Sequence, residues 1–121
     1  YARHPLADAG ADLPAGGFLV VGTAAVLQGL PGPVLRLPLG PEGLQDGAPD
    51  GARIVDALGA VLDGVSYEGF IPQVTEQRAP NDTDFGDGAL GRCPNGRDTQ
   101  ENGADFRLNE SPTPGRANDC P

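Results

Sequence analysis

Residues 47–69 read GAPDGARIVDALGAVLDGVSYEG, and this stretch decides the fold class. Two apolar runs, 52–55 and 61–67, flank Asp56, Ala57, Leu58 and Gly59. β-Branched residues on both sides of a short link bearing glycine specify a β-hairpin, not a helix. Val61, Asp63, Val65 and Tyr67 alternate and so share one face, whereas the consecutive Ile54 and Val55 suit a strand covered on both faces. Gly47, Pro49, Asp50 and Gly51 set the way into the hairpin, and Tyr67 is expected to pack in the core.

Upstream, residues 1–15 form a polar lead-in with no period of either kind. The run GGFLVVG at 16–22 is a short apolar segment between glycines and reads as a buried strand. Residues 23–30 allow one helical turn with Thr23 as its cap. Pro31, Pro33, Pro38, Pro41 and Pro49 then forbid a central strand, which leaves 34–39 as a brief edge strand at most. Downstream, 70–87 is a long loop, and loops of that length are usually either functional or disordered. Short strands are expected at 89–93 and 105–108, with Phe106 and Leu108 facing inward. Residues 111–121 form an irregular C-terminal strap in which Pro112, Pro114 and Gly115 lay down the closing turn. About six short strands separated by turn signals indicate an all-β antiparallel sandwich with long Pro/Gly-rich loops.

Glycine (19) and proline (13) exceed a quarter of the 121 residues, and Met and Trp are absent. Such a chain makes one domain, residues 1–121, with little core to spare. The missing initiator Met leads us to expect an N-terminally truncated or processed piece of a longer polypeptide. A formal charge of −9 opposes binding to a phosphate backbone and favours a basic partner, a divalent cation or simple solubility. All eight basic residues are Arg, which reads as coding bias in a GC-rich source. No membrane span is visible in the sequence.

Cys93 and Cys120 are the only cysteines. Paired, they would close a loop of about 28 residues and add roughly 3 kcal/mol of stability. The even count in a turn-rich chain favours a disulfide and an oxidising compartment over two free thiols. A metal site on the cysteines is disfavoured because the single histidine, His4, lies far away in sequence.

No catalytic constellation appears. His4 sits in the lead-in, away from any nucleophile, and Ser66 reads as an outward-facing strand residue. No pair of the abundant Asp residues is selected by spacing for glycoside hydrolysis. Calcium is the one cofactor with local support, because Asp82, Asp84 and Asp87 place hard oxygen ligands in a glycine-bearing loop. It is not an EF-hand, since Gly86 stands where a third ligand belongs and Cys93 occupies the position of the bidentate Glu. Asn95, Asp98, Asn102 and Asp105 form a second loose polar cluster, and Asx residues in such loops commonly make turns with their own backbone.

Taken in order, GGFLVVG at 16–22, LQDGAPDGARIVDALGAVLDGVSYEG at 44–69, LGRCPNGRDTQENGADFRLNE at 90–110 and SPTPGRAND at 111–119 resemble bacterial lamin-tail domains. The resemblance implies an immunoglobulin-like β-sandwich on the extracellular side or cell surface, often beside a secreted nuclease or phosphatase, with no active site of its own. It implies a module for adhesion, anchoring or positioning, whose partner is another protein or an attached catalytic domain. An accessory fragment of a secreted hydrolase and a calcium-binding module are the alternatives. The family's opening strands have no counterpart before Gly16, so an edge is expected to be open to a strand donated by a partner.

Overall fold

Strand outweighs helix, 27% against 12%, in the computed structural model, which describes residues 2–40, 43–44, 47–81, 88–109 and 111–120. The strands among these residues are β1 (Leu19–Gly22), β2 (Leu35–Pro38), β3 (Asp50–Val55), β4 (Val61–Tyr67), β5 (Ala89–Arg92) and β6 (Phe106–Asn109). They pair two by two into three small sheets, β1–β2, β3–β4 and β5–β6. Two short helices, α1 (Ala24–Gln28) and α2 (Asn102–Asp105), and a 3-10 turn at Leu6–Ala9 within the lead-in complete the described elements. By its internal contacts the chain forms two compact units, Tyr1–Gln45 with Thr113–Ala117, and Asp46–Pro112 with Asn118–Pro121.

The first unit corrects the expectation of purely antiparallel pairing. β1 runs parallel to β2, with Leu19 opposite Leu35 and Gly22 opposite Pro38. The reason is the connection: α1 lies between the strands, and a parallel pair needs a crossover of this kind where a tight turn would force antiparallel pairing. Thr23 does stand at the N-cap of α1, but its side chain makes no capping bond, and only its carbonyl engages the helix, accepting from the Leu27 N–H at 3.0 Å. Among the described residues of this unit, Leu27, Leu30 and Leu37 are the buried apolar side chains. The crossover is held by Arg36, whose guanidinium donates to the carbonyls of Leu27, Leu30, Gly32 and Val34 at 2.9–3.4 Å. Thr113, Pro114, Gly115 and Arg116 form a tight turn closed by the Arg116 N–H on the Thr113 carbonyl at 3.2 Å. Gly115 takes φ 78°, the left-handed value that proline-glycine turns demand at their second corner. A Cβ there would also fall 3.1 Å from a methyl of Val34.

In the second unit β3 and β4 form the expected hairpin, with Asp50 opposite Tyr67 and Ile54 opposite Asp63. The pairing then jumps to Val55 opposite Val61, so Leu62 is an extra residue in β4. This bulge breaks the alternation read from the sequence, which put Val61 on the face of Asp63, Val65 and Tyr67. Ile54 and Val55 are exposed, not covered on both faces, because they belong to the outer end of the hairpin. Tyr67, at the opposite end of β4, is half-buried and is not among the fully buried side chains. β5 and β6 pair with Leu90 opposite Leu108 and Arg92 opposite Phe106. Phe106 is half-buried, whereas Leu108 is partly exposed, contrary to the inward orientation expected of it. Cys93 and Cys120 form a disulfide with their Cα atoms 5.5 Å apart. No helix among the described residues is long and apolar enough to cross a membrane.

Candidate functional site

Two glycines begin the site. Gly51 and Gly64 lie on the β3–β4 hairpin, and a Cβ at Gly64 would fall 2.5 Å from the Val74 carbonyl oxygen. A Cβ at Gly51 would fall 2.9 Å from a Val74 methyl. Only bare backbone lets the segment carrying Val74 lie this close, and that approach brings Thr75 and Glu76 against β4. Ser66, expected to face outward, is instead fully buried beneath this segment. Its hydroxyl donates to the Gly69 carbonyl at 2.7 Å and lies 2.6 Å from the Thr75 hydroxyl, which accepts from the Ile71 N–H.

Asn102, the first residue of α2, fixes Glu76 from the other side. Its side-chain carbonyl accepts the Glu76 N–H at 2.9 Å, while its amide donates to a Glu76 carboxylate oxygen at 2.8 Å and to the Gly64 carbonyl at 3.0 Å. Asn102 is fully buried, so each of these bonds replaces one that water would otherwise supply. Asp105, the last residue of α2, is also fully buried and accepts from the Thr99 N–H at 2.6 Å and the Thr99 hydroxyl at 2.8 Å. The backbone N–H of Thr99, followed by its hydroxyl and the nearby Arg97, holds the Asp105 carboxyl below its ordinary pKa against the opposing effect of burial.

Arg92 stands at the centre of this polar interior. Its guanidinium reaches Asp63 at 2.7 Å, Glu76 at 3.7 Å and Asp98 at 3.8 Å, and its carbon lies 5.0 Å from the centre of the Phe106 ring. The side chain is only 14% exposed, and its Nε is buried with no hydrogen-bond acceptor among the described residues. The three carboxylates each present an oxygen within 4.8 Å of the others, so with one guanidinium among them the cluster carries a formal charge of −2. Burial, then the negative charges of Asp63 and Asp98, push Glu76 above its ordinary pKa, and Arg92 only partly offsets them.

Comparison with family models, with curated proteins and with solved structures finds no match.

Chemically the cluster can hold a proton on Glu76 or a cation among three oxygens. A calcium ion would need six to eight oxygen ligands and would compete with the guanidinium already seated on Asp63. The calcium ligands expected from the sequence, Asp82, Asp84 and Asp87, lie outside the described residues. The second polar cluster does not act as one site. Asp98 caps its own turn by accepting from the Gln100 N–H at 2.9 Å, Asn95 accepts the Asn118 N–H at 3.1 Å, and Asn102 and Asp105 are committed to α2 and its surroundings. Among the residues expected to shape the hairpin, Asp50 is buried and its carboxylate accepts the Gly51 N–H at 2.8 Å. The site missed by sequence reading is Arg92 with Asp63 and Glu76, residues separated by loops and marked by no motif. Gly51 and Gly64 inside the two hairpin strands are the local signal, since a strand glycine marks close backbone approach.

Proposed function

We propose that the chain is a non-enzymatic, extracellular lamin-tail-like module that anchors or positions an attached domain or partner protein, and that its strands belong to an immunoglobulin-like sandwich. The observation that carries this reading is the inward commitment of the polar residues: apart from the Arg92 Nε, the hydrogen bonds and ion pairs of Arg92, Asn102 and Asp105 tie this chain's own strands and loops together. Such a network builds a rigid scaffold. The disulfide suits an oxidising compartment and ties Cys120 to the end of β5. The motifs quoted for the resemblance fall on structural elements in support of it, GGFLVVG ending on β1 and PTPG forming the Gly115 turn.

The test is to fuse the chain to a soluble reporter enzyme and measure the fraction retained on bacterial envelopes, with and without reductant. Retention of the fusion above that of the free reporter, lost on reduction, is the expected result. Equal retention of reporter and fusion, or metal-dependent cleavage of nucleic acid or phosphate esters by the chain alone, would replace the anchoring reading.

A further inference from the structure

The outer end of the β3–β4 hairpin combines three features that the scaffold does not use. First, its apolar side chains are exposed: Leu58 at 95%, Leu62 at 62%, and Ile54, Val55 and Val61 at about half. Second, four of its five turn N–H groups, those of Asp56, Leu58, Gly59 and Ala60, are satisfied internally. Asp56 Oδ1 accepts the N–H groups of Leu58 and Ala60 at 2.8 Å, the Asp56 carbonyl accepts that of Gly59 at 3.1 Å, and the Asp56 N–H donates to the Ala60 carbonyl at 2.9 Å. A turn with most of its N–H groups already bonded leaves few unpaired donors to desolvate at the headgroup boundary, where water still reaches the remaining groups. Third, the arm carries no net charge, and its one carboxylate, Asp56, is bonded to the backbone of its own turn. Residues 51–62 contain one Arg and one Asp and are neutral overall, in a chain whose formal charge is −9.

The geometry points to the hairpin tip as a lipid-insertion element that enters the interface of a zwitterionic bilayer. A second copy of the chain is a poorer occupant. The five side chains expose on the order of 500 Å², below the roughly 800 Å² per partner that a stable interface buries. Leu62 also bulges out of β4, which spoils that edge for pairing with another strand. Charge selects the kind of lipid, since an acidic chain is repelled by anionic headgroups while an arm without net charge accepts headgroups without net charge. The partly exposed hydrocarbon is comparable to what one myristoyl chain brings, so binding is reversible, with a partition constant on the order of 10⁴ M⁻¹. This inference is independent of the lamin-tail reading.

The chain has no tryptophan, so Leu58→Trp gives a single reporter at the tip. Phosphatidylcholine vesicles at millimolar lipid should shift its emission to the blue, and brominated acyl chains should quench it. The wild-type chain should float with the same vesicles, Leu58→Asp should lower its bound fraction at least tenfold, and added phosphatidylserine should weaken binding at low salt. The exposed position of Leu58 means that both variants keep the wild-type thermal midpoint. The assignment fails if the indole emission of the Leu58→Trp variant is unmoved, if Leu58→Asp floats as well as wild type, or if light scattering shows a dimer that Leu58→Asp dissolves, the last result giving the tip to a second copy.

Discussion

The two units of the chain are held by different physics. In the first, Leu27, Leu30 and Leu37 are the buried apolar side chains among the described residues, and Arg36 binds four backbone carbonyls. In the second, the fully buried side chains are Ser66, Asn102 and Asp105, and Arg92 is bound by carboxylates. The first core is non-directional and tolerates rearrangement at some loss of packing. The second is directional, because each buried polar group leaves a partner unsatisfied when it is removed. A short chain with few large apolar residues can therefore gain order from hydrogen-bonded interiors where hydrophobic area is scarce.

The sharpest way to break this contrast is to make the same change at both arginines. Arg92→Met removes a largely buried guanidinium from three partly exposed carboxylates and from the Phe106 ring, and should cost about 3 kcal/mol, the low end for a broken buried pair because solvent screens the carboxylates. Arg36→Met leaves carbonyls that water can reach and should cost about 1 kcal/mol. Chemical denaturation of the two variants checks the difference, and equal losses would show that the units do not differ in this way. Comparable in size is Leu37→Ala, which should cost about 3 kcal/mol through lost burial and a residual cavity. Amide exchange should show the loss of protection concentrated in β1 and β2, and uniform loss across β3–β6 would mean that the units unfold as one.

The smallest effect is in pH dependence, through Glu76 and Asp105 of the second unit. Glu76 has a folded-state pKa above its ordinary 4.5, so the folded protein holds this proton more tightly than the unfolded chain. Its favourable contribution is complete below pH 4.5 and is lost as pH rises through the raised value. Asp105 acts in the opposite sense: its pKa lies below the ordinary 3.8, and its contribution is present above that value and is lost as pH falls through the lowered one. Glu76→Gln should remove the decline of thermal midpoint above pH 4.5 while leaving the acid limb set by Asp105. A variant with an unchanged profile would exclude Glu76 as the titrating group.

What can be read from sequence is mostly local. The β3–β4 hairpin is legible because its strands are joined by a short link whose turn chemistry and apolar runs are contiguous. The disulfide is legible because only two cysteines exist. The parallel pairing of β1 with β2 is not, since it depends on how the crossover through α1 packs. The carboxylate cluster is hidden for a related reason: Asp63, Glu76, Arg92 and Asp98 come from four different segments. Asn102 and Asp105 carry the composition of a turn, and the burial of Asn102 follows from partners as distant as Gly64. Tyr67, the aromatic residue of the hairpin, has the composition of a core residue, yet the fully buried position in that strand belongs to Ser66.

Arg36 gives the absence of lysine a meaning beyond codon usage. An ammonium group offers three donors from a single point and could not spread across the carbonyls of Leu27, Leu30, Gly32 and Val34, whereas the planar guanidinium presents five along a fork. In that position the side chain does the work of several ordered waters, serving the crossover as a covalently tethered solvent.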